Sequence, residues 1–264
     1  MSLEIHALRK LIEIDKLNKK IKNGNKEVIL IEDLSLEIDY GEAVAAVCSP
    51  NPGLTYLLTC LSGMKHSYEG IIRYDAEIEK DLYYKVLYTC NKDVMFEWRT
   101  VFDNTLLFLK INSKQNDGDE ELQKYVLDTF EKYKLTKYKD KYPSSLSGSI
   151  KNKISIVKHM MLKPTLLIMN DNFSNIDYKT KTELLQILRN RFLCDKNAIL
   201  YATQNIDDVF LLADRILLLK PYPLSLVASI DISDIGNERT PELIKESPAY
   251  TELSNLLSKE HLYD

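Results

Sequence analysis

The feature that most constrains the fold is a regular alternation of short apolar runs and helical segments in the last hundred residues. Apolar runs of strand length lie at 165–169, 198–202 and 215–219, and segments with helical patterning at 178–192 and 206–213 separate them. A strand followed by a helix and then by another strand forms a βαβ unit, whose strands pair in parallel. The sequence therefore predicts an α/β fold with a mostly parallel core sheet.

The beginning of the chain has a different pattern. Strand-like apolar runs at 11–15 and 28–38 are separated by a polar segment at 19–25, in which Asn23 and Gly24 form a favourable hairpin turn. A tight turn between two strands joins them in antiparallel orientation. We therefore expect an antiparallel β portion beside the parallel core.

A strand, a loop and a helix follow in direct succession. Residues 43–47 form an uninterrupted apolar run, which is typical of a strand buried on both faces. After a proline-rich loop at 49–53, residues 54–61 have helical character and end at Ser62 and Gly63, a favourable helix C-terminus. This order of elements is the arrangement found in phosphate-binding loops.

Composition excludes several classes of function. Because 35 basic residues face 39 acidic ones, for a net charge of -4, no broad basic surface for nucleic acid is expected. No run reaches the ~18 to 20 apolar residues that span a bilayer. The four cysteines lack the paired spacing of a zinc or redox site; they are Cys48, Cys60, Cys90 and Cys194. We expect a cytosolic protein that reaches a membrane only through a partner.

Residues 48–55 can be compared with the P-loop pattern G-x-x-x-x-G-K-[ST]. In that pattern backbone N–H groups wrap the phosphates, the Lys pairs with them and the hydroxyl binds Mg²⁺. Only Gly53 and Thr55 match the pattern here. The eight positions hold Cys48, Ser49, Pro50, Asn51, Pro52, Gly53, Leu54 and Thr55. Taken alone, this stretch is a weak indication of a phosphate site.

Two later stretches carry a family resemblance. Residues 142–153 read Tyr-Pro-Ser-Ser-Leu-Ser-Gly-Ser-Ile-Lys-Asn-Lys, and residues 164–177 read Pro-Thr-Leu-Leu-Ile-Met-Asn-Asp-Asn-Phe-Ser-Asn-Ile-Asp. The first resembles the LSGGQ signature of the ABC ATPases and the helix after it. The second resembles a Walker B strand and the loop that ends in a Leu-Asp-like pair, here Ile176 and Asp177. The order and the spacing both match the family.

Weaker matches extend the resemblance over nearly the whole chain. Residues 90–104 look like the Q-loop stretch of nitrate, sulfonate and taurine importers, with Glu97 and Trp98 in the place of a Pro-Trp pair. Residues 201–215 resemble the H-loop and the strand that follows it. The tail at 246–250 also looks like the end of that subfamily.

The resemblance implies a P-loop NTPase fold of the ABC ATPase type, with an α/β core at 1–104 and 162–264 and a helical signature subdomain at 105–161. It also implies ATP and Mg²⁺ as ligands. The implied catalytic positions are Asp171 and Gln204, and the implied metal positions are Thr55, Asn91 and Asn170. The implied nucleotide positions are Cys48, Ser49, Pro50, Asn51, Pro52, Gly53, Leu54, Thr55, Tyr56, Asn91, Leu146, Ser147, Gly148 and Ser149.

Several of these positions hold residues that weaken the family's chemistry. Leu54 stands at the phosphate-binding Lys, and Pro52 carries no N–H group. Asn170 stands at the Asp of the magnesium shell and brings no charge to the cation. Asp171 stands at the general-base Glu and is one methylene shorter, while Gln204 replaces the switch His. We expect hydrolysis at the chain's own site to be absent or strongly impaired.

The remaining family positions are mixed. Asn91 replaces the Q-loop Gln, and Ile21 aligns with an aromatic residue that stacks on adenine. Ser147 and Gly148 remain at the start of a helix, where N–H groups and the helix dipole favour an anion. In the family this segment serves the ATP of the facing subunit. The chain could therefore donate residues 146–149 to a competent partner while its own P-loop half is silent.

Three functions remain open at this point. The favoured hypothesis is the nucleotide-binding subunit of an ABC importer, located on the cytoplasmic face of the membrane through permease subunits and paired with a second ABC ATPase as a homodimer or heterodimer. The alternative is a non-hydrolytic pseudo-ATPase with a structural or regulatory role. The third is a normal but slow ATPase.

Individual residues also have simpler interpretations. Ser147 taken alone is a helix N-cap, and Asp171 could be a solvated strand end. Phe96 and Trp98 are either core residues or part of a groove for a cytoplasmic helix of a permease.

Overall fold

The computed structural model describes residues 9–24, 26–65, 67–90, 95–112, 118–174, 176–195, 197–236 and 239–259. The strands are β1 (Lys10–Asn23), β2 (Lys26–Asp39), β3 (Ala43–Val47), β4 (Glu69–Tyr74), β5 (Val86–Cys90), β6 (Leu166–Asn170), β7 (Ala198–Thr203), β8 (Arg215–Pro221) and β9 (Leu224–Asp231). The helices are α1 (Pro52–Leu61), α2 (Ala76–Glu79), α3 (Leu82–Lys85), α4 (Val101–Asn112), α5 (Asp119–Lys132), α6 (Gly148–Met161), α7 (Tyr178–Asp195), α8 (Ile206–Leu212), α9 (Pro241–Glu246) and α10 (Pro248–Lys259).

All nine strands form one sheet in the order β4-β1-β2-β9-β8-β3-β7-β6-β5. β3 pairs in parallel with β7 and β8, and β6 pairs in parallel with β5 and β7. β1 pairs in antiparallel orientation with β2 and β4, and β8 does so with β9. The predicted α/β class, with a mostly parallel core and an antiparallel portion, is confirmed.

The central strand β3 separates two hydrophobic clusters. Its five residues are all buried. Ala43, Ala45 and Val47 face the cluster that contains α7 and α8, whereas Val44 and Ala46 face the cluster that contains α1. Because alternate residues of a strand point to opposite faces, a strand covered on both sides needs apolar residues throughout. This is why the uninterrupted run predicts a central strand correctly.

The antiparallel hairpin is longer than its apolar pattern indicates. The polar segment at 19–25 was expected to separate two strands, but the ladder continues through it, with Lys20 opposite Ile29 and Asn23 opposite Lys26. Backbone hydrogen bonds do not depend on apolar side chains, and both faces of the ribbon are exposed here. The predicted turn is found, since Gly24 has φ +61°.

Helix α1 begins two residues before its predicted start. Pro52 occupies the first turn of α1. The backbone N–H groups of a first turn have no partner within the helix, so proline, which lacks an N–H group, loses no hydrogen bond there. The residues expected to form the end of a proline-rich loop are therefore already helical. This shift brings Asn51 to the N-cap position.

Helices α4, α5 and α6 fill most of the stretch between β5 and β6. Phe130 of α5 and Ile154 of α6 are buried in the same cluster as Leu184 of α7. The boundaries of a helical subdomain at 105 and 161 stay a prediction. Among the described residues no helix has the length and apolarity needed to cross a bilayer.

Candidate functional site

A cleft of about 360 Å³ lies at the carboxyl ends of the central parallel strands β3, β6 and β7. It is lined by Cys48, Pro50, Asn51, Leu54, Thr55, Asn170, Asp171, Ala202, Thr203 and Gln204. Parallel strands place their carboxyl ends at one edge of a sheet, so the three separate motifs meet there. Among the described residues that line this cleft, Asp171 is the only charged one.

The loop on one side of the cleft is organised by Asn51. Its side-chain Oδ1 accepts a hydrogen bond from the backbone N–H of Leu54 at 2.8 Å, which makes Asn51 the N-cap of α1. Its Nδ2 donates to the carbonyl of Ser49 at 2.8 Å and to the sulfur of Cys48 at 3.1 Å. Burial raises the pKa of the Cys48 thiol to about 11, so the sulfur is a neutral acceptor.

The two residues after the loop serve the packing of α1. Leu54 is only 4% exposed, and its side chain belongs to the hydrophobic cluster under α1. A Cβ at Gly53 would lie 2.4 Å from the carbonyl oxygen of Leu30 on β2. Glycine is therefore needed at position 53 for the close approach of α1 to β2, which is a sufficient reason for its presence.

The opposite wall of the cleft is formed by the end of β6. Asn170 donates a hydrogen bond from Nδ2 to the hydroxyl of Tyr88 on β5 at 3.2 Å. Asp171 has φ +53°, and its backbone N–H donates to the carbonyl of Ala202 at 2.9 Å. The left-handed conformation is one that Asp tolerates better than most residues. Within the described ranges no three His, Cys, Asp or Glu side chains converge to hold a metal ion.

A second tie joins β6 to β5 just behind this wall. Asn172 is 2% exposed and donates from Nδ2 to the hydroxyl of Thr89 at 3.1 Å, while its Oδ1 has no hydrogen-bond partner among the described residues. The roles of Tyr88, Thr89 and Asn172 were not predicted from the sequence. The only signal for them was the polar character of an otherwise apolar strand end.

The third wall is the end of β7. Gln204 is exposed at the mouth of the cleft. On the same strand, three residues earlier, the hydroxyl of the buried Tyr201 donates to the carboxylate of Asp208 at 3.3 Å. The Lys181 ammonium lies 2.6 Å from the same carboxylate. Burial raises the pKa of Asp208, and the Lys181 charge opposes that shift.

The signature-like segment lies apart from the cleft. Ser147 is exposed and caps α6, with its hydroxyl accepting from the N–H of Ile150 at 3.4 Å. A Cβ added to Gly148 would meet no atom within 4 Å. Ser149 donates from its hydroxyl to the carboxylate of Asp177 at 3.3 Å. The beginning of α6 is thus an open surface of small side chains.

Two aromatic residues between β5 and α4 are exposed. Trp98 is 73% exposed and Phe96 41%, and their ring centroids lie 5.1 Å apart. The interpretation of both as core residues is wrong. The segment is held by Asn104, which exchanges hydrogen bonds with the backbone of Phe96, and by an ion pair of 3.6 Å between Glu97 and Lys151.

Two other positions considered in the sequence, Tyr56 and Ile21, do not line the cleft, and a third is not described. Asn91 falls outside the described residues. Tyr56 faces away, donating its hydroxyl to the carbonyl of Ser67 at 2.6 Å with the Lys19 and Lys65 ammonium groups over its ring. Ile21 is 38% exposed on the β1–β2 hairpin.

Relatives of the chain are found among ATP-binding proteins of importers. A nitrate import ATP-binding protein, NrtD of Synechococcus elongatus, is 25% identical over 243 residues, which cover 92% of this chain and 88% of that protein. An aliphatic sulfonates import ATP-binding protein, SsuB of Bacillus cereus, is 25% identical over 214 residues, which cover 80% of this chain and 82% of the relative.

Solved structures show the same fold. The dimeric bacterial ABC transporter cassette MJ0796 superposes with a TM-score of 0.71 at 19% identity, over 84% of this chain and 98% of that one. The structure of cbiO1 of Clostridium perfringens, part of the ABC transporter complex cbiONQ, superposes with a TM-score of 0.71 at 18% identity. The match covers 94% of this chain and 99% of cbiO1. The sequence model of the ABC transporter family matches residues 31–174, more than half of the chain. The chain therefore belongs to the ABC transporter family, as an ATP-binding cassette domain.

Proposed function

We propose that this chain is the cassette subunit of an ABC importer whose own P-loop half does not support hydrolysis, and which completes the ATP site of a second cassette with residues 146–149. Its relatives are ATP-binding proteins for the import of nitrate and sulfonates. In this role the chain sits on the cytoplasmic face of the membrane, held there by permease subunits.

The observation that carries the proposal is that none of the described residues lining the cleft is positively charged. Asp171 is the one charged side chain among the described residues that line it, whereas ATP brings a triphosphate of several negative charges. Leu54, at the position of the phosphate-binding Lys, turns its side chain into the core. The residues present therefore do not fit Mg²⁺-ATP, because phosphate neutralisation needs a cation and Mg²⁺ prefers anionic oxygens.

The two halves of the site differ in this respect. The N-terminus of α6 is open and exposed, with the small residues Ser147 and Gly148 at its tip. The Ser147 hydroxyl accepts from the Ile150 N–H at 3.4 Å, a longer bond than the 2.8 Å bond of the buried Asn51, and it is exposed to solvent. The dipole of this 14-residue helix favours an anion on that surface. This asymmetry supports one working ATP site in a heterodimer, formed by the partner's P-loop and this chain's signature segment.

The exposed aromatic pair supports a permease contact. Phe96 and Trp98 form a mixed apolar surface next to Lys151, close in sequence to the Q-loop position. Exposed aromatic side chains of this size are typical of interaction sites. We assign the pair to the groove for a cytoplasmic helix of a permease subunit.

The experiment that tests the proposal measures ATPase activity after mixing this chain with an intact cassette encoded beside the same permease. We expect hydrolysis in the mixture and not in this chain alone. Ser147→Arg in this chain should lower the rate of the mixture at least about tenfold, because the long side chain covers the anion surface. Ser144→Arg, at an exposed position three residues earlier, is the matched control.

A mixture that stays fully active with Ser147→Arg would refute the donated signature segment. The alternative function is a pseudo-ATPase that acts as a structural or regulatory module. The same cleft residues favour it, and it predicts that mixing yields a stable complex without any gain in ATPase activity.

A further inference from the structure

Asn51 and Asn170 line the cleft and Asn172 lies behind its wall, and each of the three uses its side-chain amide for hydrogen bonds within the protein. We propose that these amides take the place of a bound ligand, and that the Asn51 carboxamide in particular keeps phosphate groups out of the cleft. The inference rests on the proposed function, since it takes the cleft to be the place where the family's nucleotide phosphates would lie. It adds the residue that closes the cleft.

The Asn51 side chain accepts a backbone hydrogen bond that a bound phosphate would otherwise accept. A phosphate at the start of a helix accepts hydrogen bonds from the first free N–H groups of that helix. Here the Leu54 N–H already donates to Asn51 Oδ1 at 2.8 Å, and the Thr55 N–H donates to the Asn51 carbonyl at 3.4 Å. Pro50 and Pro52 have no N–H group to offer. The loop therefore has few donors left.

Asn51 is also fixed in this position from its other side. Its Nδ2 donates to the Ser49 carbonyl and to the Cys48 sulfur, and the whole residue is only 7% exposed. An acceptor attached to the loop competes with a free anion at a high effective concentration. A phosphate would have to displace it and would gain no side-chain cation from the described lining in return.

The opposite wall is fastened in the same way. Asn170 is tied to Tyr88, and Asn172 to Thr89, so two side-chain bonds join the end of β6 to β5. The bond to Tyr88 fixes the direction of a neutral amide at the position where the family resemblance implies a magnesium ligand, and this amide brings no charge to a cation. The cleft thus keeps its shape through protein bonds on both sides.

The test is thermal unfolding of the full chain with and without pyrophosphate at about 10 mM, against NaCl of equal ionic strength. Wild type should show no change. Asn51→Gly removes the occupant at little cost to the cap, so its melting temperature should rise by about 2 °C or more with pyrophosphate. Asn51→Ala is measured in parallel, so that the test survives poor folding of either variant.

Asn205→Gly is the matched control. Asn205 caps α8 through the same kind of bond, with its Oδ1 accepting from the Asp208 N–H at 3.1 Å, and it does not line the cleft. This variant should also lose little stability, because glycine is an acceptable N-cap, and it should gain no response to pyrophosphate. A response of wild type equal to that of Asn51→Gly, or no response in either Asn51 variant, would overturn the inference. Neither result bears on the donation of residues 146–149, which the mixing experiment tests separately.

Discussion

At the scale of single residues, the ion pair between Lys181 and Asp208 is the feature whose loss should destabilise the protein most clearly, because both charges are nearly buried. The side chains of Lys181 and Asp208 are 12% and 3% exposed, with 2.6 Å between ammonium and carboxylate. A third group, the Tyr201 hydroxyl, completes the cluster. Because both charges are withdrawn from water, each depends on the other for neutralisation. The cluster joins α7, α8 and β7, the strand whose end forms one wall of the cleft.

We expect Asp208→Asn to lower the free energy of unfolding by about 3 kcal/mol, because it leaves the Lys181 charge buried without its partner. The double variant Lys181→Met, Asp208→Asn should lose clearly less, since the unpaired charge is gone. Urea unfolding of the wild type, both single variants and the double variant measures this coupling. Additive losses would show that the two side chains do not interact.

Two buried thiols should make the protein sensitive to alkali. Burial raises the pKa of Cys48 and of Cys60 from 9.0 to about 11. A folded-state pKa above the unfolded value means that unfolding releases a proton, so the stabilising contribution is complete below pH 9 and is lost as the pH rises toward 11.

The free energy of unfolding of the wild type should therefore fall between pH 9 and pH 11. Each thiol contributes a slope of up to about 1.4 kcal/mol per pH unit. Cys60→Ala should have a shallower slope than wild type over this range, whatever its stability at pH 8. Denaturant unfolding at several pH values gives the slopes, and parallel curves for the two proteins would contradict the assignment.

At the scale of elements, the contact between α1 and β2 explains a glycine that the sequence pattern alone assigns to phosphate binding. A Cβ at Gly53 would lie too close to the backbone carbonyl oxygen of Leu30 on β2. A Cβ at Gly148, at the start of α6, would meet no atom within 4 Å. The two glycines therefore have different physical reasons for their presence, although both fall at family motif positions.

We expect Gly53→Ala to destabilise the protein by about 2 to 3 kcal/mol, because a methyl group at 2.4 Å from the Leu30 oxygen must push α1 away from β2. Gly148→Ala is the control and should be neutral or stabilising by about 0.5 kcal/mol, since alanine costs less entropy in a helix. Thermal and urea unfolding of both variants decide the matter. Equal effects would mean that the packing at Gly53 can relax.

The elements differ in how far the sequence could predict them. β3 was predictable because burial on both faces requires an unbroken apolar run. β4 was not predicted, since as an edge strand it carries polar and exposed residues, as at Glu69 and Arg73. β5 was not predicted either, because its five residues form a short run that includes the polar Thr89. The far half of the β1–β2 hairpin is rich in lysine and exposed, and its ladder of backbone pairs continues without a buried apolar face.

The sequence predicts which segments meet at the cleft, but it does not predict the hydrogen bonds within it. Strand order places the loop after β3, the end of β6 and Gln204 at one edge, and that follows from parallel topology. The internal bonds of Asn51, Asn170 and Asn172 depend on side-chain orientation and on Tyr88 and Thr89 across the sheet. No spacing in the sequence specifies those orientations.

At the scale of the whole molecule, the chain has the architecture of an ABC cassette, and its cleft differs from the tip of α6 in how accessible it is to an anion. In the cleft at the carboxyl ends of the strands, the Asn51 amide is bonded within its own loop, and none of the described lining residues is a cation. The tip of α6 is open and exposed. In the function proposed above, the chain works in a pair in which the other subunit binds the ATP.

The central claim, that the chain's own cleft does not hold Mg²⁺-ATP, is tested most directly by equilibrium binding of a fluorescent ATP analogue to the purified chain with and without Mg²⁺. We predict weak binding at best, with an affinity that does not change when Mg²⁺ is added, because Asn170 supplies no charge to the cation. A micromolar affinity that requires Mg²⁺ would contradict the account.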